Sequence, residues 1–150
     1  MARPSLYEFA GGYPAFLALA TATTRRCIDD PELNHPFSRG LSPQHDENLA
    51  AYWAEVFGGP PRYSDALGGH SAMLKMHAGY GAPDAWGDRF EACFIHAMDD
   101  AGLPGDPEFR LALRDYIHWA TREVNSYSPV GTHVDPGKPM PHWSWNGLQK

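Results

Sequence analysis

The chain has little positive charge, which argues against a nucleic-acid partner. Its 150 residues include 12 Lys and Arg against 18 Asp and Glu, a formal net charge of −6. Proteins bind a phosphate backbone through clusters of basic side chains. Here the longest basic run is the pair Arg25-Arg26. We therefore expect no nucleic acid among the partners of this protein.

Cysteines and long apolar runs are also scarce. The two cysteines, Cys27 and Cys93, lie in separate apolar segments without CxxC spacing, which favours buried, reduced thiols over a disulfide or a zinc site. No stretch reaches the roughly 18 apolar residues of a membrane span. The N-terminal segment MARPSLYEFAGGYPAF also lacks the apolar run of a signal peptide. These absences predict a soluble, cytoplasmic protein that does not contact a membrane.

Several segments show the hydrophobic spacing and the end signals of helices. With 43% hydrophobic residues, a chain of this length can bury one core. Pro14 suits a first helical turn. Ser42 is an expected N-cap, and Gly58-Gly59 suits a left-handed helix end. No strand pattern is found, so we predict an all-α fold. The predicted helices cover residues 13–28, 41–59, 71–78, 83–102 and 106–127.

The segment from Ser128 to Lys150 has a different composition from the rest of the chain. Its prolines argue against regular structure, whereas its aromatic residues predict that it packs on the helical body. These residues are Pro129, Pro136, Pro139, Pro141, His142, Trp143 and Trp145.

Eight histidines are present. Their spacing along the chain excludes the common types of metal site that need several ligand residues. His70 and His77 lie two helical turns apart, roughly 10 Å along the axis, so they do not bind one ion together. A di-iron bundle needs two Glu-x-x-His pairs, whereas the chain offers only Asp115-x-x-His118. A compact Cys/His cluster for zinc, a phosphate-binding loop and a GxSxG elbow are all absent from the sequence. Conventional hydrolase or kinase chemistry therefore has no support.

Two histidines lie on otherwise apolar helix faces. His77 belongs to the stripe HSAMLKMHAGYG beside Met73 and Tyr80, and His45 lies one turn before Leu49 on the inner face of another predicted helix. The apolar surroundings of His77 are compatible with two roles, a histidine of the protein core and a ligand of a cofactor. The residues alone leave these alternatives open.

Over about residues 5–127 the sequence resembles the truncated haemoglobins of group II. The motifs that carry the resemblance are YEFAGG, DDPELNHPF, GGPPRYS and LKMHAGYG. The intervals from Phe37 to Gly58 and from His77 to Phe90 also match the family's spacing. The resemblance implies a truncated globin domain at 1–127, a two-over-two helical sandwich around haem. The Pro- and Trp-rich extension at 128–150 is expected to pack on or beside it.

The resemblance also implies roles for individual residues. His77 becomes the proximal ligand of the iron in haem b, and His45 takes the distal position facing the sixth coordination site. Tyr63 and Lys75 become candidate partners of the haem propionates. The further residues expected to contact haem or line its pocket are Thr24, Phe37, Leu49, Met73, Tyr80 and Phe90.

Three positions depart from the family pattern, and each removes a hydrogen-bond donor. Thr24 stands where the family often has tyrosine, Phe90 where it usually has tryptophan, and Phe37 at a corner position that is often tyrosine. His45 then remains as the main candidate for a hydrogen bond to a bound ligand.

The function implied is binding of oxygen or another diatomic gas, in a monomer or a homodimer. A first alternative is a haem-dependent oxidoreductase, a nitric oxide dioxygenase or a weak peroxidase, with His45 as its catalytic residue. Because 150 residues hold neither a flavin nor a nicotinamide module, such an enzyme needs a separate reductase. A second alternative is a haem-free helical interaction domain. In a further variation of the haem protein, His45 itself occupies the sixth coordination position of the iron.

Overall fold

A computed structural model describes residues 3–37 and 41–149, and most of these residues are helical, as the sequence predicts. None of the helices within those ranges combines the length and the apolar character needed to cross a bilayer. The helices are α1 (Leu6–Ala10), α2 (Tyr13–Asp29), α3 (Asn34–Phe37), α4 (His45–Val56), α5 (Arg62–Ala66), α6 (Gly69–His77), α7 (Asp84–Asp100) and α8 (Pro107–Ser126). Two short strands follow, β1 (Trp143–Ser144) and β2 (Gly147–Leu148).

Most helix ends follow the expected signals. Pro14 lies in the first turn of α2, and the Asp106 side chain caps α8 by accepting from the backbone N–H of Phe109 at 2.9 Å. The expected N-cap at Ser42 is wrong. Its hydroxyl accepts from the Gln44 amide at 3.1 Å, which closes a local turn, so that α4 begins only at His45. The helix start therefore shifts by two to three residues, and His45 becomes its first residue.

The core lies between two pairs of packed helices. Helix α2 packs against α4 and α7, and α7 packs against α8. The centre is aromatic: the ring of Phe57 lies 5.5 Å from that of Phe16 and 4.9 Å from that of Tyr116. Helix α4 is buried on every side from Ala50 to Val56, as expected of a helix in the middle of a domain.

The C-terminal segment packs onto the helices. Trp143 is only 8% exposed, and its ring lies 5.6 Å from Tyr116 and 5.8 Å from Trp119. Trp145 donates its indole N–H to the carbonyl oxygen of Pro4 at 2.8 Å, and the guanidinium of Arg3 lies 3.6 Å from the centre of the same indole. These contacts join the end of the chain to its beginning.

The expectation that this segment has no regular structure is wrong for its last residues. Strands β1 and β2 form an antiparallel pair, with Trp143 opposite Leu148 and Ser144 opposite Gly147. The physical reason is the position of the prolines. The last of them is Pro141, so every residue from 142 to 149 keeps the backbone N–H that a ladder requires.

Candidate functional site

The candidate site begins with His77, the last residue of α6. Its Nδ1 atom donates to the carbonyl oxygen of Met73, one turn earlier, at 2.8 Å. A carbonyl oxygen only accepts, so the proton of the neutral ring is on Nδ1 and Nε2 carries a lone pair. Ala78 is extended and Gly79 has a left-handed φ of 78°, which ends the helix directly after His77. The ring is therefore held in one tautomer, with Nε2 available as a ligand atom.

The protein around His77 affects the protonation of its ring. Its side chain remains accessible to solvent, although the surrounding protein desolvates the imidazole and thereby lowers the pKa of His77 from the usual value near 6.5. The hydrogen bond to Met73 opposes this shift, and the charge of a protonated His45 adds to it. The two imidazoles therefore lie near each other, and the neutral form of His77 prevails at neutral pH.

A hydrogen-bonded group near His77 comprises Thr24, His45 and Asp46, here called the distal triad. The Oδ1 atom of Asp46 accepts from the hydroxyl of Thr24 at 2.7 Å and from Nδ1 of His45 at 3.0 Å. The Thr24 hydroxyl lies 3.5 Å from the same Nδ1. Because an ionised carboxylate only accepts, the proton of neutral His45 is on Nδ1.

This tautomer changes what His45 is able to do. Its Nε2 atom carries a lone pair while the ring is neutral, so it is able to accept a proton or to bind a metal. It donates a hydrogen bond only when the ring carries a second proton. A hydrogen bond from His45 to a bound ligand is therefore restricted to the protonated ring.

An aromatic wall adjoins the distal triad. The ring of Phe37 lies 6.3 Å from His45 in an edge-to-face arrangement and 6.3 Å from Phe90 in a stacked one. Trp86 packs with Phe37 and Phe90 on a small buried cluster that contains Cys27. Trp86 is not among the site residues expected from the sequence, although it lies one helical turn before Phe90 and shares its face of α7.

Other expected site residues lie in different surroundings. Tyr63 is buried, packs on Tyr52 with a ring distance of 5.1 Å, and has a pKa raised by that burial. Tyr80 is 74% exposed, and Lys75 is also exposed. Leu49 and Met73 are half-buried and pack against the main core. A surface cleft of about 620 Å³ between α2 and the end of α7 contains none of the site residues.

The C-terminal segment holds the helix that carries His77. The buried hydroxyl of Ser71, in α6, donates to the carbonyl of Asp135 at 2.7 Å and accepts from the amide of Lys138 at 2.9 Å. Beyond the other end of α6, the Gly79 amide donates to the carbonyl of Tyr127 at 3.0 Å. Residues from 127 onward therefore fix both ends of α6.

Replacing Ser71 by alanine is expected to lower the free energy of unfolding by about 1 to 3 kcal/mol, because both hydrogen bonds of the buried Ser71 hydroxyl are lost. Chemical denaturation of the two proteins measures this difference. Ser126→Ala is the matched control, since within residues 3–37 and 41–149 that exposed hydroxyl bonds only to the carbonyl of Glu123 in its own helix. Equal midpoints for Ser71→Ala and the wild type would show that the segment does not hold α6.

Two pairs of packed helices and a histidine whose Nε2 carries a lone pair are features of the globins, haem proteins that bind diatomic gases. The sequence profile of the family described as bacterial-like globin matches residues 5–120, and the chain belongs to this family. The predicted resemblance to group II truncated haemoglobins and the truncated-globin fold are confirmed.

Solved structures of bacterial haemoglobins are similar to this chain over most of its length. The haemoglobin of Chloroflexus aurantiacus is 28% identical, with a TM-score of 0.70, over 81% of this chain and 98% of that one. The group II truncated haemoglobin of Bacillus anthracis is 19% identical, with a TM-score of 0.72, over 91% and 98%. The truncated oxygen-avid haemoglobin of Bacillus subtilis is 23% identical, with a TM-score of 0.70, over 81% and 98%. A comparison with curated protein sequences finds no significant match.

Proposed function

We propose that the chain is a haem protein that binds oxygen or another diatomic ligand at an iron atom held by Nε2 of His77. The observation that carries this proposal is the 2.8 Å hydrogen bond from Nδ1 of His77 to the Met73 carbonyl. It leaves Nε2 unprotonated, as metal ligation requires, and it orients the ring. The iron would supply the atom at which the ligand binds, and the protein would supply its orientation and its surroundings.

Haem b is the proposed form of the cofactor. The sequence has no CxxCH motif for covalent attachment, so the porphyrin would be held by His77 and by apolar contacts. Phe37 and Phe90 are proposed to pack on it, because they form one aromatic wall next to His45. The further residues proposed to surround the haem are Thr24, Leu49, Tyr63, Met73, Lys75 and Tyr80.

An absorption spectrum of the purified protein after titration with haem tests this proposal. We expect one equivalent of haem to give a Soret band, and the reduced protein to change its spectrum with oxygen and with carbon monoxide. Six-coordinate reduced iron without added ligand would indicate that His45 closes the sixth site. A protein that stays colourless would contradict the proposal and favour a haem-free helical interaction domain.

The distal triad favours a second candidate function, a haem-dependent oxidoreductase. Asp46 holds the proton of His45 on Nδ1 at 3.0 Å, so neutral Nε2 is a base on the distal side, where proton transfer assists peroxide reduction. Such chemistry, or nitric oxide dioxygenation, consumes electrons, and we propose a separate reductase as their source. A cytoplasmic location and a monomeric or homodimeric state remain predictions.

A further inference from the structure

A buried chain of hydrogen-bonded side chains joins three helices away from the distal triad. The hydroxyl of Tyr52, in α4, lies 2.7 Å from Nδ1 of His70, in α6. Nε2 of His70 lies 2.9 Å from Oε1 of Glu123, in α8. Tyr52 and His70 are each 3% exposed, whereas the Glu123 side chain is 23% exposed. This Tyr–His–Glu chain therefore leads from the interior to the solvent.

The direction of each hydrogen bond follows from the chemistry of the partners. An ionised Glu123 only accepts, so Nε2 of His70 carries the proton of the neutral ring. Nδ1 of His70 is then an acceptor, and the hydroxyl of Tyr52 donates to it. Tyr52 thus has a base, His70, at hydrogen-bond distance, and Glu123 is able to accept a proton from His70.

Burial decides how such a phenol can react. Desolvation raises the pKa of Tyr52 well above its ordinary value, so the phenolate is not formed at physiological pH. Removal of one electron from a neutral phenol makes its O–H strongly acidic, and the reaction proceeds easily only where a base takes the proton at once. His70 is placed to do this.

The Tyr–His–Glu chain lies on the same two helices as the histidines of the candidate haem site. Tyr52 follows His45 on α4 by seven residues, and His70 precedes His77 on α6 by seven residues. Each interval is two helical turns, about 10 Å along the axis. Electrons tunnel over distances of this order through packed protein faster than enzymes turn over. Electron transfer between Tyr52 and the haem site therefore requires no direct contact of Tyr52 with the porphyrin.

We propose that Tyr52 is a redox-active tyrosine, which returns one electron to the haem site after a hydroperoxide has oxidised that site, with His70 as its proton acceptor. This inference rests on the proposed function. Reduction of ROOH to ROH and water takes two electrons from the haem site and two protons from solvent. Tyr52 returns one of these electrons, and the external reductant, the proposed reductase or a small thiol, returns the other.

The bond changes on the protein side balance. The O–H bond of Tyr52 breaks, and its proton passes to Nδ1 of His70. The proton on Nε2 of His70 passes to the carboxylate of Glu123, from which solvent removes it. The products are a neutral tyrosyl radical, a neutral imidazole in its other tautomer and a protonated Glu123. An external reductant, the proposed reductase or a small thiol, restores the phenol with one electron and one proton.

Freeze-quench electron paramagnetic resonance of the haem-loaded ferric protein mixed with hydrogen peroxide tests the proposal. The wild type is expected to give a tyrosyl signal whose hyperfine splitting changes when the tyrosine rings are deuterated. In D2O the coupling to one exchangeable proton, that of the His70 hydrogen bond, is expected to disappear. These two measurements need no variant, so they hold even where a substitution disturbs folding.

Variants with equal Soret absorbance assign the signal. Tyr52→Phe is expected to remove most of it. Tyr7→Phe is the control and is expected to leave the signal unchanged, because Tyr7 packs on Phe16 with a ring distance of 5.9 Å and is not among the residues proposed to contact the haem. Glu123→Gln keeps a hydrogen-bond acceptor for His70 but does not take a proton. It is expected to slow radical formation about tenfold, equivalent to about 1.4 kcal/mol in the barrier.

The outcomes separate this inference from the proposed function. A full signal in Tyr52→Phe, or its loss in Tyr7→Phe or Tyr116→Phe instead, overturns the inference while the haem assignment stands. A wild-type protein without a Soret band overturns both.

Discussion

Replacing Trp143 by alanine is expected to lower the free energy of unfolding by about 3 to 5 kcal/mol, the usual cost of removing a buried indole. The side chain is 8% exposed and packs against Tyr116 and Trp119, on the body of the protein. The cavity left by alanine would lie beside Tyr116, which is itself only 1% exposed. Chemical denaturation followed by circular dichroism measures the change.

A phenylalanine at the same position is the matched control. The indole N–H of Trp143 is buried and has no hydrogen-bond partner among residues 3–37 and 41–149, and an unpaired buried donor costs roughly 1 to 3 kcal/mol. Trp143→Phe removes that donor while keeping most of the ring contact, so it is expected to be much less harmful than alanine. An alanine variant within about 0.5 kcal/mol of the wild type, as at a surface position, would contradict the packing of the C-terminal segment.

The rate at which oxygen leaves the reduced protein is expected to depend on His45. When the ring carries a proton on both nitrogens, Nε2 of His45 is a hydrogen-bond donor to the ligand. Hydrogen bonds of charged groups contribute about 1.5 to 3 kcal/mol, equivalent to a tenfold to hundredfold change. A donor at this position should therefore slow the dissociation of oxygen.

The variant His45→Leu isolates this contribution. It is expected to release oxygen at least about tenfold faster than the wild type, because leucine has no hydrogen-bond donor. Stopped-flow mixing with carbon monoxide measures both rates. An off-rate unaffected by His45→Leu would remove His45 from this role.

Local signals predicted most of the helices. Pro14 and Asp106 act only on the first turn of their own helices, so their effect is visible in the sequence. Ser42 shows the limit of this reasoning, because a serine hydroxyl is able to bond either to a helix turn or to the amide two residues on. The hydrophobic spacing of α7 identified Phe90 but not Trp86, since a tryptophan near a helix start is also typical of a surface position.

The candidate site was predictable in its residue types but not in its protonation. The position of His77 follows from the motif LKMHAGYG, whereas its tautomer depends on a bond to Met73 that only the helix geometry reveals. His45 was expected to be a donor because no other donor remained. Its contact with Asp46, the next residue in the chain, makes neutral His45 an acceptor instead.

The Tyr–His–Glu chain joins positions 52, 70 and 123, and no local sequence pattern indicates a contact between residues so far apart in the chain. The boundary between a globin domain at residues 1–127 and a C-terminal extension at residues 128–150 remains a prediction.

Haem binding by His77→Gly, with and without imidazole, tests the central claim most directly. Glycine leaves room for free imidazole to replace the side chain on the iron. We expect the variant to bind haem more weakly than the wild type and to show an altered Soret band, and added imidazole to restore the wild-type spectrum. His133→Ala, which removes a histidine whose side chain is 78% exposed, should change nothing. A His77→Gly protein that binds haem with unchanged affinity and an unchanged spectrum would contradict the assignment of His77 as the iron ligand.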